Sequence, residues 1–489
     1  MFMDLCLSDH DKEKMQLFKI LANSSLTHLS IHSLVDRLPF SYTKIQNLLT
    51  EINLDFIICY RQPLLANKGQ IDFCETLFDV GSYQAYLLHQ STVYQFFLSM
   101  LLYPDDLLVD YCEQNDISRS TVHRKLTPLK RYLKTLNLNL NLERMCFSGS
   151  EAAIRAFYLQ LFWLTNGGQD VLEFPYVQEN LAATNDWSEN WGANVCYQQG
   201  RLALAITLLR SKSGNFIKDN QRCKDYLFPT VASQIHSFFM ALTPDTIIAK
   251  AELNYFYYSI LYQPIYLSLD DPRVSLARQN LAQLNCIRQL PHSLLDCVRG
   301  LLRDDLHPHE LELFWVNFYN LFATVQLWSN TPVPLILRNS IAAPRRNPKL
   351  ATQIQQQLAK TLQQLTRQKK TAWLSENLLI IAQSLTYLIL PFAKPTATNE
   401  LLRVGIQDDP NSFLIQDVLR FCQNLPFVKI ELFNSKAFSD YDLIVSNNNL
   451  AKETTENRQL FSLQNGNFSY ANLLSILEKQ QLTKMAANC

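Results

Sequence analysis

Glycine is scarce in this chain, with 11 in 489 residues, and no glycine sits in a phosphate-cradling pattern. No G-x-G-x-x-G occurs, Gly167-Gly168 is not followed by Lys-Ser/Thr, and there is no G-x-S-x-G elbow. The shortage disfavours nucleotide loops and turn-dense all-β folds, and it favours helices. Paired cysteines are lacking too. Eleven cysteines are scattered singly without any C-x-x-C, so neither a zinc ribbon nor a disulfide framework is expected, and reduced cytosolic thiols are the default. Net charge is zero, 44 basic side chains against 44 acidic ones, so only local clusters of charge could attract nucleic acid.

Long hydrophobic runs are also missing. The longest charge-free apolar stretch, residues 378–393, is interrupted by Gln383, Ser384 and Thr386 and is shorter than the ~20 residues that span a bilayer. It reads as a buried core helix. Met1-Phe2-Met3-Asp4-Leu5 leads into the charged Asp9-His10-Asp11-Lys12-Glu13-Lys14, which is not the pattern of a signal peptide. A cytoplasmic protein with no membrane partner and no cofactor is expected.

The length calls for several domains of about 100–200 residues each. The first 147 or so residues alternate short helical patterns with turn signals. Residues 150–392 carry apolar side chains at i, i+3, i+4 and i+7 in stretch after stretch, including 152–164, 202–209, 231–242, 247–261, 294–302, 310–327, 350–365 and 374–388. Pro264, Asp270-Asp271 and Pro272 mark a boundary between two helical bundles. Residues 391–398 (PFAKPTAT) read as a linker. Short apolar runs at 401–406, 428–433 and 443–445, with helical patterns at 412–424 and 473–482, then predict a small parallel sheet of βαβ units.

The strongest functional signal lies between residues 105 and 147. A short helix over 107–113 and a turn over 114–117 (QNDI) lead to Ser118, a good helix cap. Val122, Leu126, Leu129 and Leu133 give the next helix an inner face, and Pro128 is expected to kink or interrupt it. Its outer face offers Arg119, Ser120, Thr121, His123, Arg124 and Lys125, followed by Lys130, Arg131 and Lys134, and no acidic residue occurs from Ile117 to Leu142. Ser, Thr, His and Arg at a helix N-terminal end suit the major groove, with the later cations near phosphates. Residues 136–142 (LNLNLNL) alternate with a period of two, as a β-wing would. A second, less basic unit precedes it: a helix over 29–38, a turn at Pro39-Phe40, and a helix over 41–52 opened by Ser41, with Tyr42, Thr43, Lys44, Gln46 and Asn47 exposed.

Enzyme signals are weak beside these. His307-Pro308-His309-Glu310 is the only tight His/carboxylate group, but its histidines lack the i,i+4 spacing of a helical metal site, and Pro308 and Glu310 read as helix-start residues. Trp187 and Trp191 read as core or interface aromatics. Two readings of the N-terminal units stay open, duplex-DNA binding and protein contact within a helical scaffold. A steep loss of affinity with salt separates them.

The order of these modules resembles the Mga-type regulators of Gram-positive bacteria and their AtxA-like relatives. The resemblance rests first on Ile117–Leu126 (ISRSTVHRKL), then on the wing-like 136–142 and the passage into the bundle at 149–161. It implies a mainly α multidomain fold: helix-turn-helix domains at 1–65 and 66–148, the second winged, PRD-like helical domains at 149–268 and 269–392, and a IIB-like α/β domain at 399–489. It further implies a homodimeric virulence regulator acting on double-stranded DNA, activation being the expected direction. A phosphotransferase-system phosphocarrier protein would act on histidines of the helical domains, where His236, His292, His307 and His309 are candidates by location. One departure matters. IIB proteins carry a phosphorylated Cys after their first strand, whereas here Gln407-Asp408-Asp409-Pro410 follows and Cys422 falls inside the next helix.

Overall fold

A computed structural model describes residues 3–22, 28–61, 63–64, 71–72, 80–182, 195–217, 233–261, 265–288, 290–327, 348–367, 371, 374–375, 377–394, 401–407, 413–425, 427–433, 440–446, 459–462 and 469–487. Trp187, Trp191, Pro264, residues 395–398 of the expected linker and Asp408–Pro410 lie outside the described residues. The chain forms two compact units, one of residues 1–290, 312–341 and 366–381, the other of 291–311, 342–365 and 382–489.

In the first unit the chain runs through α1 (Asp9–Ala22), β1 (His28–Leu29), α2 (Ile31–Val35), α3 (Tyr42–Tyr60) and β2 (Ile71–Asp72), β1 and β2 pairing antiparallel. Leu29, expected to open a helix, lies instead in β1, and α2 starts only after Ser30, whose hydroxyl accepts from the Ser33 amide. The helix expected over 41–52 continues to Tyr60, where Arg61 turns left-handed at φ 54°. Phe18, Phe56 and Tyr83 close a shared aromatic core at ring separations of 4.6–5.6 Å.

Next come α4 (Val80–His89), α5 (Thr92–Leu102), α6 (Leu108–Gln114), α7 (Arg119–Thr135), the hairpin β3 (Asn139–Asn141) and β4 (Cys146–Ser148), and α8 (Glu151–Asn166). Phe147 of β4 stacks on Phe97 of α5 at 5.7 Å and meets Phe157 of α8 edge-on at 5.5 Å, so the wing is seated on both helices. Gly149 joins β4 to α8 at φ 144°, and a Cβ there would come within 2.9 Å of the Asn137 carbonyl oxygen. Gly167 and Gly168, both left-handed, end α8 and begin α9 (Gln169–Leu172).

The helical region continues with α10 (Pro175–Leu181), α11 (Val195–Lys212), α12 (Ser233–Leu242), α13 (Thr246–Leu261), α14 (Pro272–Gln283) and α15 (Asn285–Arg288). A charge cluster ties α8, α11 and α13 together. Arg155, 2% exposed, pairs bidentately with Glu252, 0% exposed, with 2.9 Å from Nη2 to Oε1. Glu252 Oε1 also accepts from the Ile217 amide at 2.8 Å, Arg155 donates to the Asn215 carbonyl at 2.9 Å, and Glu151 bridges Arg155 and Arg210. A second polar node sits at the end of α4: Asp170 lies 2.8 Å from His89 Nε2 and accepts from Tyr94 Oη at 2.5 Å and Asn166 Nδ2 at 3.1 Å.

In the second unit, α16 (His292–Leu301) packs on α18 (Pro348–Leu365); α17 (Pro308–Leu327) belongs to the first unit from Glu312 onward, and α19 (Leu378–Ile389) to the second from Ala382 onward. The C-terminal sheet has the expected parallel character. Its strands β5 (Leu402–Ile406), β6 (Val428–Leu432), β7 (Leu443–Ser446) and β8 (Gln459–Ser462) lie in the order β6-β5-β7-β8, all parallel. Leu402, Val404 and Ile406 are buried with Val418 and Cys422 of α20 (Phe413–Gln423) and Leu473 and Leu477 of α21 (Tyr470–Ala487). β8 was not foreseen, and α21 is longer than the 473–482 expected. Among the described residues, no helix is long and apolar enough to cross a membrane.

Removing one partner of a buried ion pair strands the other charge, so Glu252→Gln should cost about 3–5 kcal/mol in urea unfolding, and an unchanged midpoint would contradict the role given to this pair. The His89–Asp170 node should show in the pH dependence of stability. The Asp170 hydrogen bond, against the opposing effect of burial, raises the His89 pKa, and the His89 hydrogen bond lowers that of Asp170. The His89 contribution is full below its unfolded pKa of about 6.5 and is lost as pH rises through the raised folded value. The Asp170 contribution is present above about 3.9 and is lost as pH falls through its lowered value. The stability difference between wild type and His89→Gln should therefore be largest at about pH 4–6.5 and shrink toward pH 8; a difference independent of pH would refute this.

Candidate nucleic-acid interface

The turn between α6 and α7 is made by local geometry. Asp116 takes a left-handed conformation at φ 48°, and the Ile117 amide reaches back to the Cys112 carbonyl at 3.0 Å. Ser118 then caps α7, its Oγ accepting from the Thr121 amide at 3.2 Å. Val122, Leu126, Leu129 and Leu133 are each 0% exposed, a stripe that anchors the whole length of the helix.

Pro128 was expected to kink or interrupt α7, yet the helix runs unbroken from Arg119 to Thr135. Proline removes one amide donor, and the stripe of one valine and three leucines, spanning both sides of Pro128, holds the helix across that gap. The exposed polar face of α7 is therefore continuous along the helix. Arg119, Ser120, His123, Arg124, Lys125, Arg131 and Lys134 are exposed, as is Ser118, while Thr121 and Lys130 are half-buried.

The period-two pattern of 136–142 is realised in the hairpin. Leu138, Leu140 and Leu142 are buried, whereas Asn137, Asn139 and Asn141 face solvent. Its turn is closed by Asn141 Oδ1, which accepts from the Arg144 amide at 3.1 Å, and by Met145 at φ 43°. This turn puts Glu143 and Arg144 at the wing tip, both exposed. Neither had been singled out in the sequence, although Glu143 is the residue that ends the acid-free run.

The polar side chains of α7 fall into two sets. His123 Nε2 lies 3.0 Å from Glu143 Oε1, and Arg119 Nη1 lies 3.7 Å from Glu143 Oε2. Lys125 donates to Thr92 Oγ1, at the start of α5, at 2.8 Å. Arg124 and Lys125 also line a cavity of about 330 Å³ together with Asp4, Asp9, Asp11 and Lys12. Among the described residues, no carboxylate lies within salt-bridge distance of Arg124, Lys130, Arg131, Lys134 or Arg144. These five form the surplus positive charge that the neutral total conceals.

The earlier unit is built alike but charged differently. Ser41 caps α3 by accepting from the Lys44 amide at 3.3 Å, and Ile45, Leu48, Leu49 and Ile52 are buried. Tyr42, Thr43, Gln46 and Asn47 are exposed, with the Tyr42 ring 5.2 Å from that of His32. Lys44, however, is half-buried, paired with Glu13 of α1 at 2.5 Å and set over the Phe40 ring. Its charge is already matched.

Of the histidines, His236 is exposed on α12 and His292 is exposed at the start of α16. His307 and His309 come together, rings 5.5 Å apart, where the His307 amide donates to Glu310 Oε2 at 3.0 Å. That bond is a helix-start contact for α17, as the sequence indicated. Among the described residues, no group of three or more His, Cys, Asp or Glu side chains could hold a metal ion. Cys422 is buried in α20 and its thiol is pushed up to about 11 by burial, so it has no thiolate character at neutral pH.

No curated protein matches the chain. Residues 78–162, which take in α4 to β4 and most of α8, match the family model described as the Mga helix-turn-helix domain. The unit built from α5, α6, α7 and the β3–β4 wing thus lies within a segment similar to the Mga helix-turn-helix domain.

Proposed function

We propose that the chain is a transcription regulator that reads duplex DNA by laying the N-terminal end of α7 in the major groove. The observation that carries this reading is the two-faced helix itself: a stripe of fully buried apolar residues opposite exposed Arg119, Ser120, His123, Arg124 and Lys125, within the segment matched by the Mga domain. Arg119, Ser120, Thr121 and His123 face base edges in this arrangement, while Arg124 and Lys125 serve bases or phosphates. Lys130, Arg131 and Lys134 follow the backbone, and Arg144 at the wing tip adds a contact to a neighbouring phosphate or minor groove.

The unit around Ser41 contributes less electrostatically, since Glu13 neutralises Lys44. Tyr42, Thr43, Gln46 and Asn47 offer it polar contacts to DNA. Homodimerisation, promoter activation and a cytoplasmic location belong to the same proposal, as do PRD-like roles for 149–268 and 269–392 and a IIB-like role for 399–489. Exposure of His236, His292, His307 and His309 leaves each open to a phosphocarrier protein. Burial of Cys422 supports a IIB-like tail that has no phosphocysteine chemistry of its own.

Binding of a promoter-sized duplex should weaken steeply with salt, the slope of log K against log salt being about −0.9 for each phosphate neutralised. Replacing Arg119, Arg124 and Lys125 together by Ala should abolish most of the affinity and flatten that slope by about 2–3. Gel-shift or anisotropy titration checks this; a triple variant that binds like wild type would remove α7 from the interface.

A further inference from the structure

Two side chains at the base-reading end of α7 share one carboxylate, and that carboxylate is on the wing. Arg119 and His123 are one turn apart and both turn toward Glu143. The wing is not free to withdraw it. The Glu143 carbonyl accepts from the Leu108 amide at 3.1 Å, which fixes the backbone to the first turn of α6, and the Asn141–Arg144 bond closes the turn around it. Cys112, buried on α6, lies within electrostatic reach of both Arg119 and Glu143, so the three groups occupy one neighbourhood.

The charge on α7 is thereby partitioned. Its front end, Arg119 with Glu143, sums to zero, whereas Arg124, Lys130, Arg131 and Lys134 keep their full charge. A phosphate offers Arg119 little that the carboxylate does not already offer, because both are anionic oxygen acceptors. A guanine edge offers two aligned acceptors, O6 and N7, matched to the guanidinium fork. Arg119 and Glu143 are each more than half exposed and their separation is long, so the pair opens when such a partner is presented.

We propose that Glu143 is a specificity-determining residue of the DNA interface: it withholds Arg119 and His123 from phosphates at random sites and releases them to a base edge. The inference rests on the DNA-reading role given to α7 above. Glu143 lowers affinity for arbitrary duplex more than for the selected site, and so widens the gap between them.

The test uses the full chain and two probes, a mixed-sequence 30-base-pair duplex and a duplex enriched from a random pool by the wild-type protein. Glu143→Gln keeps an acceptor for His123 but removes the charge. It should bind the mixed-sequence duplex about tenfold more tightly near 0.1 M salt, with a salt slope steeper by about 0.9, as one freed cation requires. Its preference for the enriched duplex should fall. Adding Arg119→Gln to Glu143→Gln should cancel the gain, which a merely structural change at the wing tip would not do. If wild type binds and Glu143→Gln binds the mixed-sequence duplex with unchanged or lower affinity, the role given to Glu143 is overturned while the DNA-binding reading stands. If wild type binds neither duplex at low salt, that reading fails and this one with it.

Discussion

Burying a full charge is among the most expensive acts in folding, and this chain does so where its helix-turn-helix segment meets the helical region that follows. Arg155 belongs to α8, inside the segment that matches the Mga domain, and its partner Glu252 lies 97 residues further along, on α13. Neither could remain charged in an apolar interior without the other, and both are satisfied beyond the pair itself, by Thr207, Asn215, Ile217 and Glu151. Apolar packing would tolerate a shift of α8 along α11 with gradual loss. A bidentate pair in low dielectric tolerates none, because the geometry that offsets desolvation is directional. The position of α8 relative to α11 and α13 is therefore specified by charge, and the wing is seated on α8 by aromatic contacts that inherit that position.

The same economy of charge runs through the rest of the first unit. A chain with equal numbers of acids and bases could have spread them evenly, yet α7 concentrates cations on one face while α1 and α3 set acids against basic side chains across their contact. Glu13 matches Lys44, Glu51 meets His10, and the buried Lys14 pairs with Asp55 at 2.5 Å. Two helix-turn-helix units of similar build thus differ in the field they present. One has surplus cations at its surface, and the other spends its cations on holding α1 to α3.

Much of this was legible before any coordinates. The Ser41 and Ser118 caps, the buried stripe of α7 and the Leu/Asn alternation of the wing are local patterns, set by residues within a turn or two of one another, and they were read correctly. The continuity of α7 through Pro128 was not, because a proline signals a break locally while the buried stripe that overrides it is a tertiary effect. β1 and β2 are two residues each, and β8 is four, too short for a period to show. Glu143 follows the acid-free run, and nothing local in the sequence places it beside Arg119 at the other end of that run. Arg155 sits on the apolar face of a helix, a visible anomaly, but nothing near it in sequence names Glu252.

Gly149 gives the wing an unusual mechanical character. Glycine commonly marks a place where a chain bends freely, but here the absent side chain allows a tight approach, with the Asn137 carbonyl and the Leu138 side chain filling the space a Cβ would need. The joint between β4 and α8 is consequently a weld and not a swivel. A helix of 16 residues is about 24 Å long, so the wing is carried at one end of a rod whose seat, through Arg155, is the buried charge cluster.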